Sequence, residues 1–144
     1  MSQLKRLTYQ KQNLQSCLIL QSWLREVHKL TELLKSSCEA CKADATVLMD
    51  NEIKELLSQI PSWKVFKEDN VKKIICSYVF LNYEDSLNFL NKVADLAEKE
   101  DHHPEIILEW GKVTVIWWSH KIRGLHKNDF ICASKTDALF DNKD

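Results

Sequence analysis

Two pairs of short strand-like segments, each joined by a tight turn, constrain the fold of this chain most strongly. The first pair spans residues 63–66 and 71–80 around a polar turn, and the second spans residues 106–110 and 113–118 around Gly111. Side chains alternate between the two faces of a strand, and strands joined by tight turns run antiparallel. The pattern therefore predicts two hairpins in one antiparallel sheet.

Three amphipathic helices are predicted around these hairpins. The first begins at Asp50, which can cap it, and the last runs from about residue 127 to 140. The central helix opens with Asn82 and Asp85 as a capping motif, and Pro104 forces its end because the residue before a proline leaves the α region. The predicted apolar stripe of the central helix is Tyr83, Leu87, Leu90, Ala94 and Ala97. The order α-β-β-α-β-β-α predicts an α+β domain in which helices pack on one face of a four-stranded antiparallel sheet.

Residues 1–37 are predicted to form an amphipathic helical extension ahead of a domain at residues 38–144. Apolar or near-apolar side chains recur in this extension every three or four residues, at Cys17, Leu20, Leu24, Val27, Thr31 and Leu34. Because an apolar stripe is unstable on an isolated helix, we expect Leu24, Val27 and Leu34 to pack on the domain or across an oligomer interface. Deletion of the extension is expected to lower thermal stability or oligomer size.

The composition argues against several classes of protein. A formal net charge of −1 does not suit a nucleic-acid binder, and no run approaches the roughly 18 apolar residues of a membrane span. With only two glycines, the chain has no glycine-rich phosphate loop. Five cysteines and no recognisable signal peptide predict reduced thiols in a cytoplasmic protein.

Side chains suited to proton transfer collect where the central helix ends. His102 and His103 precede Pro104, and His120 follows the last predicted strand. Histidine titrates near neutral pH and is therefore the commonest general acid or base. Glu98 lies one helical turn before His102 and is expected to orient it. A histidine at a helix C-terminus can also simply compensate the helix dipole, so the spacing alone leaves both interpretations open.

These residues resemble the signature of the pterin-4a-carbinolamine dehydratase family. The resemblance covers roughly residues 48–141 and rests on Glu98-x-x-x-His102-His103-Pro104, Trp110, His120, Gly124-Leu125 and Asp129. Two further stretches, Cys38-Glu39-Ala40-Cys41 and the run from Trp110 to Val115, are similar to bacterial members associated with phenylalanine hydroxylase. Residues 1–37 have no counterpart in the family core.

The resemblance implies a lyase that uses no metal and no cofactor. Its reaction would be that of a 4a-hydroxytetrahydrobiopterin dehydratase, which removes water from 4a-hydroxy-tetrahydropterin to give quinonoid dihydropterin. This step recycles the pterin cofactor of an aromatic amino-acid hydroxylase such as phenylalanine hydroxylase.

The resemblance also implies roles for individual residues. His102 and His120 would form the acid/base pair, and His103 would position the substrate. The substrate-binding residues would be Glu98, Asp101, Trp118 and Asp129. Asp129 has an alternative, because a carboxylate at the start of the last helix can serve as a helix N-terminal residue with no catalytic duty. Both members of the acid/base pair are expected to face a solvent-accessible site, so replacing either should change stability little.

A homodimer or homotetramer is expected. Residues 71–80 are apolar on both faces of the predicted strand, which predicts an exposed edge that pairs with another copy.

Two other classes of function stay open. One is a metalloprotein, either a zinc hydrolase with three histidine ligands or a site at Cys38-x-x-Cys41, although adjacent His102 and His103 suit one metal poorly. The other is a dimerisation or regulatory module built on the same fold.

Overall fold

The computed structural model describes residues 32–39 and 45–141. Its elements are α1 (Asp50–Leu57), β1 (Lys64–Glu68), β2 (Val71–Val79), α2 (Tyr83–Glu100), β3 (Glu105–Glu109), β4 (Lys112–Trp117) and α3 (Lys127–Asp141). Residues 32–35 are also helical. The predicted α+β class and the predicted order of elements are confirmed. Within the described ranges, no helix is both long enough and apolar enough to cross a bilayer.

The four strands form one antiparallel sheet in the order β1-β2-β4-β3. Strand β2 is therefore interior in the strand order, and the expectation that residues 71–80 form an edge strand of the sheet is wrong. Residues 71–75 pair with β1 and residues 74–79 pair with β4, so residues 74 and 75 have a described partner on both sides and the others on one side. The edges of the described sheet are β1 and β3. Apolar side chains on both faces are typical of a central strand, and they also occur in an edge strand that pairs with another chain. The long-range pairing with β4 decides which of the two β2 is.

Helices α2 and α3 cover one face of this sheet. The strand residues of that face stand in register as the pairs Ile74–Trp117, Cys76–Val115 and Tyr78–Val113. The helix side chains in the same core cluster are Phe89, Val93 and Ala97 of α2 and Phe130, Ile131, Cys132 and Ala133 of α3. The core therefore fixes how the end of α2 and the start of α3 approach the end of β4.

The buried face of α2 differs from the predicted stripe. Ser86, Phe89 and Val93 are buried, whereas Tyr83 and Leu87 are 48% and 39% exposed. Apolar residues are frequent enough on this helix to define two overlapping stripes. The stripe that contains Phe89 faces the sheet, because the Phe89 ring packs against the Tyr78 ring with 4.8 Å between their centroids.

The N-terminal caps of α1 and α2 use side-chain hydrogen bonds to the backbone. At α2 the Asp85 N–H donates to Asn82 Oδ1 at 2.8 Å, as predicted. Helix α1 differs from the prediction, because Asp50 is its first helical residue and Met49 is the N-cap. The Met49 N–H donates to Glu52 Oε2 at 2.8 Å, which fixes the start of this helix without a polar capping side chain.

Leu33 joins the segment at residues 32–39 to the hydrophobic core. Its side chain is 3% exposed and belongs to the core cluster, whereas Leu34 is 40% exposed. Leu34 therefore does not pack in the core of its own chain, because the helical face that meets the domain is rotated by one residue from the predicted stripe, and its packing across an oligomer interface stays a prediction. Leu24 and Val27 lie outside the described residues.

We predict that Leu33→Ala lowers the free energy of unfolding by about 2–4 kcal/mol, because truncating a buried leucine leaves a cavity. Leu34→Ala is the matched control and should change it by less than about 1 kcal/mol, since an exposed side chain loses little burial. Urea-induced unfolding followed by circular dichroism measures both. Equal losses in the two variants would contradict the assignment of Leu33 to the core.

Candidate active site

A left-handed residue at the end of α2 separates the two adjacent histidines. Asp101 has φ 49°, and the His102 N–H donates to the Ala97 carbonyl oxygen at 3.1 Å. This reversal stops the helix and changes the direction of the chain. His102 is then buried, with 4% of its surface exposed, while His103 lies on the surface. Asp101, a predicted substrate-binding residue, is itself exposed and contributes this backbone geometry.

Contacts with Asp129 and Trp117 hold the His102 ring inside the protein. Its Nε2 lies 2.6 Å from Asp129 Oδ1, with Asp129 fully buried. Its plane stacks on Trp117 with 5.5 Å between ring centroids and an interplanar angle of 10°. The expectation that His102 faces a solvent-accessible site is therefore wrong. A polar imidazole suggests an exposed position, but the tertiary packing covers the His102 side chain.

Asp129 is both a helix-capping residue and the partner of His102. Its Oδ2 accepts the His126 N–H at 2.7 Å and the Ser119 hydroxyl at 3.1 Å. His126 precedes the first residue of α3, and its Nδ1 accepts the Asn128 N–H at 3.3 Å. His126 and Asp129 therefore form a capping box, in which His126 takes the position that Ser or Thr usually occupies. Three donors surround the buried carboxylate, which offsets the cost of removing its charge from water.

His103 and His120 lie together on the outer side of this network. The His103 ring is bound to Glu98, with 2.9 Å between Nε2 and Oε1, and both side chains are more than half exposed. The predicted contact between Glu98 and His102 is therefore replaced, because the reversal at Asp101 places His103 next to Glu98. His120 Nε2–H donates to the His103 carbonyl oxygen at 3.2 Å. The two exposed histidines are therefore fixed relative to each other.

Trp118, the residue that follows β4, packs against the His120 ring. The two rings are 4.1 Å apart between centroids, and the Lys73 ammonium lies 4.0 Å from the Trp118 ring centroid. Lys73 is buried and forms an ion pair with Glu68 at 2.7 Å. These residues also line a pocket of about 230 Å³ beside His120. Sequence reasoning missed Lys73, because nothing in the local sequence distinguishes it from its neighbour Lys72.

Close backbone packing shapes the turn that carries His120. The Ser119 N–H donates to the Gly124 carbonyl oxygen at 2.9 Å. A Cβ atom at Gly124 would lie 2.7 Å from Val47 Cγ1, so a larger residue at this position would force the Val47 side chain to shift. Leu48 N–H in turn donates to the Leu125 carbonyl oxygen at 2.9 Å. The Gly124-Leu125 pair of the sequence signature therefore anchors the turn.

Residues 38 and 39 brace the two helix ends that meet at the site. The Cys38 N–H donates to Glu100 Oε2 at 2.9 Å, and the Glu39 N–H donates to Asn128 Oδ1 at 3.1 Å. Glu100 also forms an ion pair with Lys135. Burial alone would raise the pKa of Glu100, but the hydrogen bonds from Lys135 and Cys38 outweigh it, and this pKa lies below its ordinary value. No local sequence pattern indicates this brace, because its partners lie in distant helices.

The described residues hold no cluster of three or more histidine, cysteine, aspartate or glutamate side chains that could bind a metal ion. Cys41, half of the Cys38-x-x-Cys41 pair, lies outside the described residues. Chemically, the site offers two exposed imidazoles, one of them bound to a carboxylate, beside a third that is buried and oriented. This set suits proton transfer to and from a bound substrate.

Residues 46–139 match the sequence model of a family described as pterin 4 alpha carbinolamine dehydratase. A curated protein of Saccharophagus degradans, provisionally named as a pterin-4-alpha-carbinolamine dehydratase, is 46% identical over 112 residues, which are 78% of this chain and 99% of the relative. The fold is similar to the crystal structure of a protein described as a transcriptional coactivator/pterin dehydratase from Brucella melitensis. That match has a TM-score of 0.60 and 29% identity, and covers 66% of this chain and 99% of the other.

We predict that His102→Ala lowers the free energy of unfolding by about 2–5 kcal/mol, because it removes a buried ring and leaves the Asp129 carboxylate without its partner. His120→Ala should change it by less than about 1 kcal/mol, since that ring is exposed. Chemical denaturation of both variants checks the difference. A His102→Ala protein as stable as the wild type would contradict the buried pair.

Proposed function

The chain belongs to the pterin 4 alpha carbinolamine dehydratase family, and from that membership we propose a specific reaction for it. The protein dehydrates a 4a-hydroxy-tetrahydropterin to the quinonoid dihydropterin and water. The observation that carries the proposal is the pairing of His103 and His120 on the open side of the site, joined by the hydrogen bond from His120 Nε2–H to the His103 carbonyl oxygen. The buried pair of His102 and Asp129 supports them from behind.

The reaction needs two proton transfers. The bond from C4a to the hydroxyl oxygen breaks as that oxygen receives a proton and leaves as water. A ring nitrogen of the pterin loses a proton, and its electron pair forms the new double bond to C4a. One imidazolium can give the first proton and one neutral imidazole can take the second, so the pair ends with its protonation states exchanged. Proton exchange with solvent restores them.

We assign these transfers to His103 and His120, whose rings are exposed and can contact a bound substrate. The resemblance implies a different acid/base pair, made of His102 and His120. The Nε2 of His102 is bound to Asp129 inside the protein, so His102 is assigned a positioning role. Glu98 orients the His103 ring, and Trp118 orients the His120 ring.

The proposed physiological role is pterin recycling. The product of the reaction is the oxidised pterin that a reductase must restore after an aromatic amino-acid hydroxylase has acted. The resemblance of residues 38–41 and 110–115 to bacterial members associated with phenylalanine hydroxylase supports that enzyme as the source of the substrate. The proposed setting is the cytoplasm, which the free thiols of Cys38, Cys76 and Cys132 suit.

We predict that His103→Ala and His120→Ala each lower kcat by roughly one to three orders of magnitude, the usual contribution of one general acid or base. His102→Ala should lower the rate as well, together with stability. His28→Ala, a histidine outside the signature, is the matched control and should keep the wild-type rate. Stopped-flow absorbance measures the dehydration rates of all four variants, with the 4a-hydroxy-tetrahydropterin substrate generated in the assay mixture.

Two results of that experiment would count against the proposal in different ways. A wild-type protein that does not accelerate the dehydration would remove the proposed function. An active wild type with unchanged His103→Ala and His120→Ala rates would keep the function and remove the assignment of the acid/base pair.

The protein is also proposed to form a homodimer or homotetramer. Large apolar side chains stand exposed near one end of β2 and along the β3–β4 hairpin, namely Val79 (69%), Leu81 (89%), Ile107 (42%) and Trp110 (74%). Apolar exposure of this kind is typical of a surface that another chain covers.

We predict that light scattering at micromolar concentration gives at least twice the monomer mass of 16.9 kDa. A monomeric mass would contradict the assembly.

A further inference from the structure

Two cysteines far apart in the sequence meet behind the site. The Sγ atoms of Cys38 and Cys132 are 3.4 Å apart, and the residues are separated by 94 positions. Cys38 lies in the segment at residues 32–39, and Cys132 lies in the second turn of α3, where it is fully buried. Both are free thiols. The contact therefore joins the segment that precedes the domain core to the helix that carries Asp129.

Other contacts hold the two sulfur atoms together. The Cys38 N–H is bound to Glu100, and its thiol also lies 3.8 Å from the Asn128 carbonyl oxygen. The next residue is held by two hydrogen bonds with Asn128, one from the Glu39 N–H and one from Asn128 Nδ2 to the Glu39 carbonyl oxygen at 2.7 Å. The sulfur contact is therefore part of a fixed arrangement and not of a single flexible side chain.

The two thiols differ in access to solvent. Cys38 is half-buried and its neighbours Ser37 and Glu39 are exposed, whereas Cys132 is fully buried, so Cys38 is the more accessible of the two residues. The contact with Cys38 and burial both raise the pKa of the Cys132 thiol, which keeps it protonated. Because the thiolate is the nucleophile in disulfide exchange, Cys38 is the residue that reacts first and Cys132 the one that resolves.

We propose that Cys38 and Cys132 form a redox modification site that low-molecular-weight disulfides, such as oxidised glutathione, convert to an intramolecular disulfide. The Cys38 thiolate attacks one sulfur of the oxidant, whose S–S bond breaks and releases one thiol. Cys132 then attacks the Cys38 sulfur of the mixed disulfide, the bond from that sulfur to the oxidant breaks, and the Cys132 proton passes to the departing sulfur, which leaves as the second thiol. The two cysteines are oxidised and the oxidant is reduced to two thiols.

The bond would fix the brace at residues 38–39 to α3 and close a long loop of the chain. A disulfide across a loop of this length restricts the unfolded chain strongly, so oxidation should raise Tm by about 5–10 °C. The inference does not depend on the dehydratase activity, because the reaction and its effect on stability involve neither the substrate nor the exposed histidines.

The experiment uses the full chain, incubated with oxidised glutathione and then blocked with N-ethylmaleimide. Trypsin cuts after Lys35, Lys42, Lys127 and Lys135, so the expected product is a linkage between peptides 36–42 and 128–135 in non-reducing mass spectrometry. Thermal unfolding of the same sample should show the rise in Tm, and dithiothreitol should reverse both results.

Matched variants identify the cysteines. Cys41 lies in the same tryptic peptide as Cys38, and Cys41→Ser should keep both the linkage and the rise in Tm. Cys76→Ser, in β2, should keep both as well. Cys38→Ser and Cys132→Ala should each abolish both; if Cys132→Ala does not fold, Cys38→Ser alone decides, because its side chain is only half-buried. A linkage that involves Cys41, or no linkage after oxidation, would overturn the proposal.

Discussion

The buried hydrogen bond between His102 and Asp129 is the contact on which the arrangement of the site depends. It joins His102, the second residue after the end of α2, to the first turn of α3, and the Ser119 hydroxyl, from the segment that follows β4, donates to the same carboxylate. A buried carboxylate is costly unless its oxygens are satisfied, and three donors meet this one. Three separate elements must therefore reach their native positions together before this network can form.

A single backbone conformation gives the neighbouring histidines different environments. The left-handed Asp101 ends α2 and directs His102 inward, against Trp117, while His103 stays on the surface beside Glu98. A continued helix would place the two rings only about 100° apart on one surface. The reversal instead buries one histidine and leaves the other exposed, and these different environments are the basis of the different roles proposed for two adjacent residues of the same type.

The short segment at residues 32–39 takes part in the core and in the support of the site. Leu33 packs in the hydrophobic cluster, and residues 38 and 39 bind Glu100 and Asn128. Glu100 lies two residues before His102, and Asn128 immediately precedes Asp129. The predicted boundary between residues 37 and 38 stays a prediction, but the contacts of this segment cross it. A charge count and a periodic stripe could not reveal such contacts, because they depend on polar atoms from distant helices.

The sequence by itself determined the order of elements, the two hairpins, the Asn82 cap and the end of α2 near Pro104, because turns, caps and prolines act through local backbone geometry. It also indicated the residues of the candidate site, since the histidines and Asp129 stand in a pattern that resembles a family signature. Only the tertiary structure decided that β2 is central, that Phe89 and Leu33 face the core, and that His102 is buried while Glu98 meets His103. Each of these outcomes depends on which distant surface an element packs against, and local periodicity carries no information about that partner.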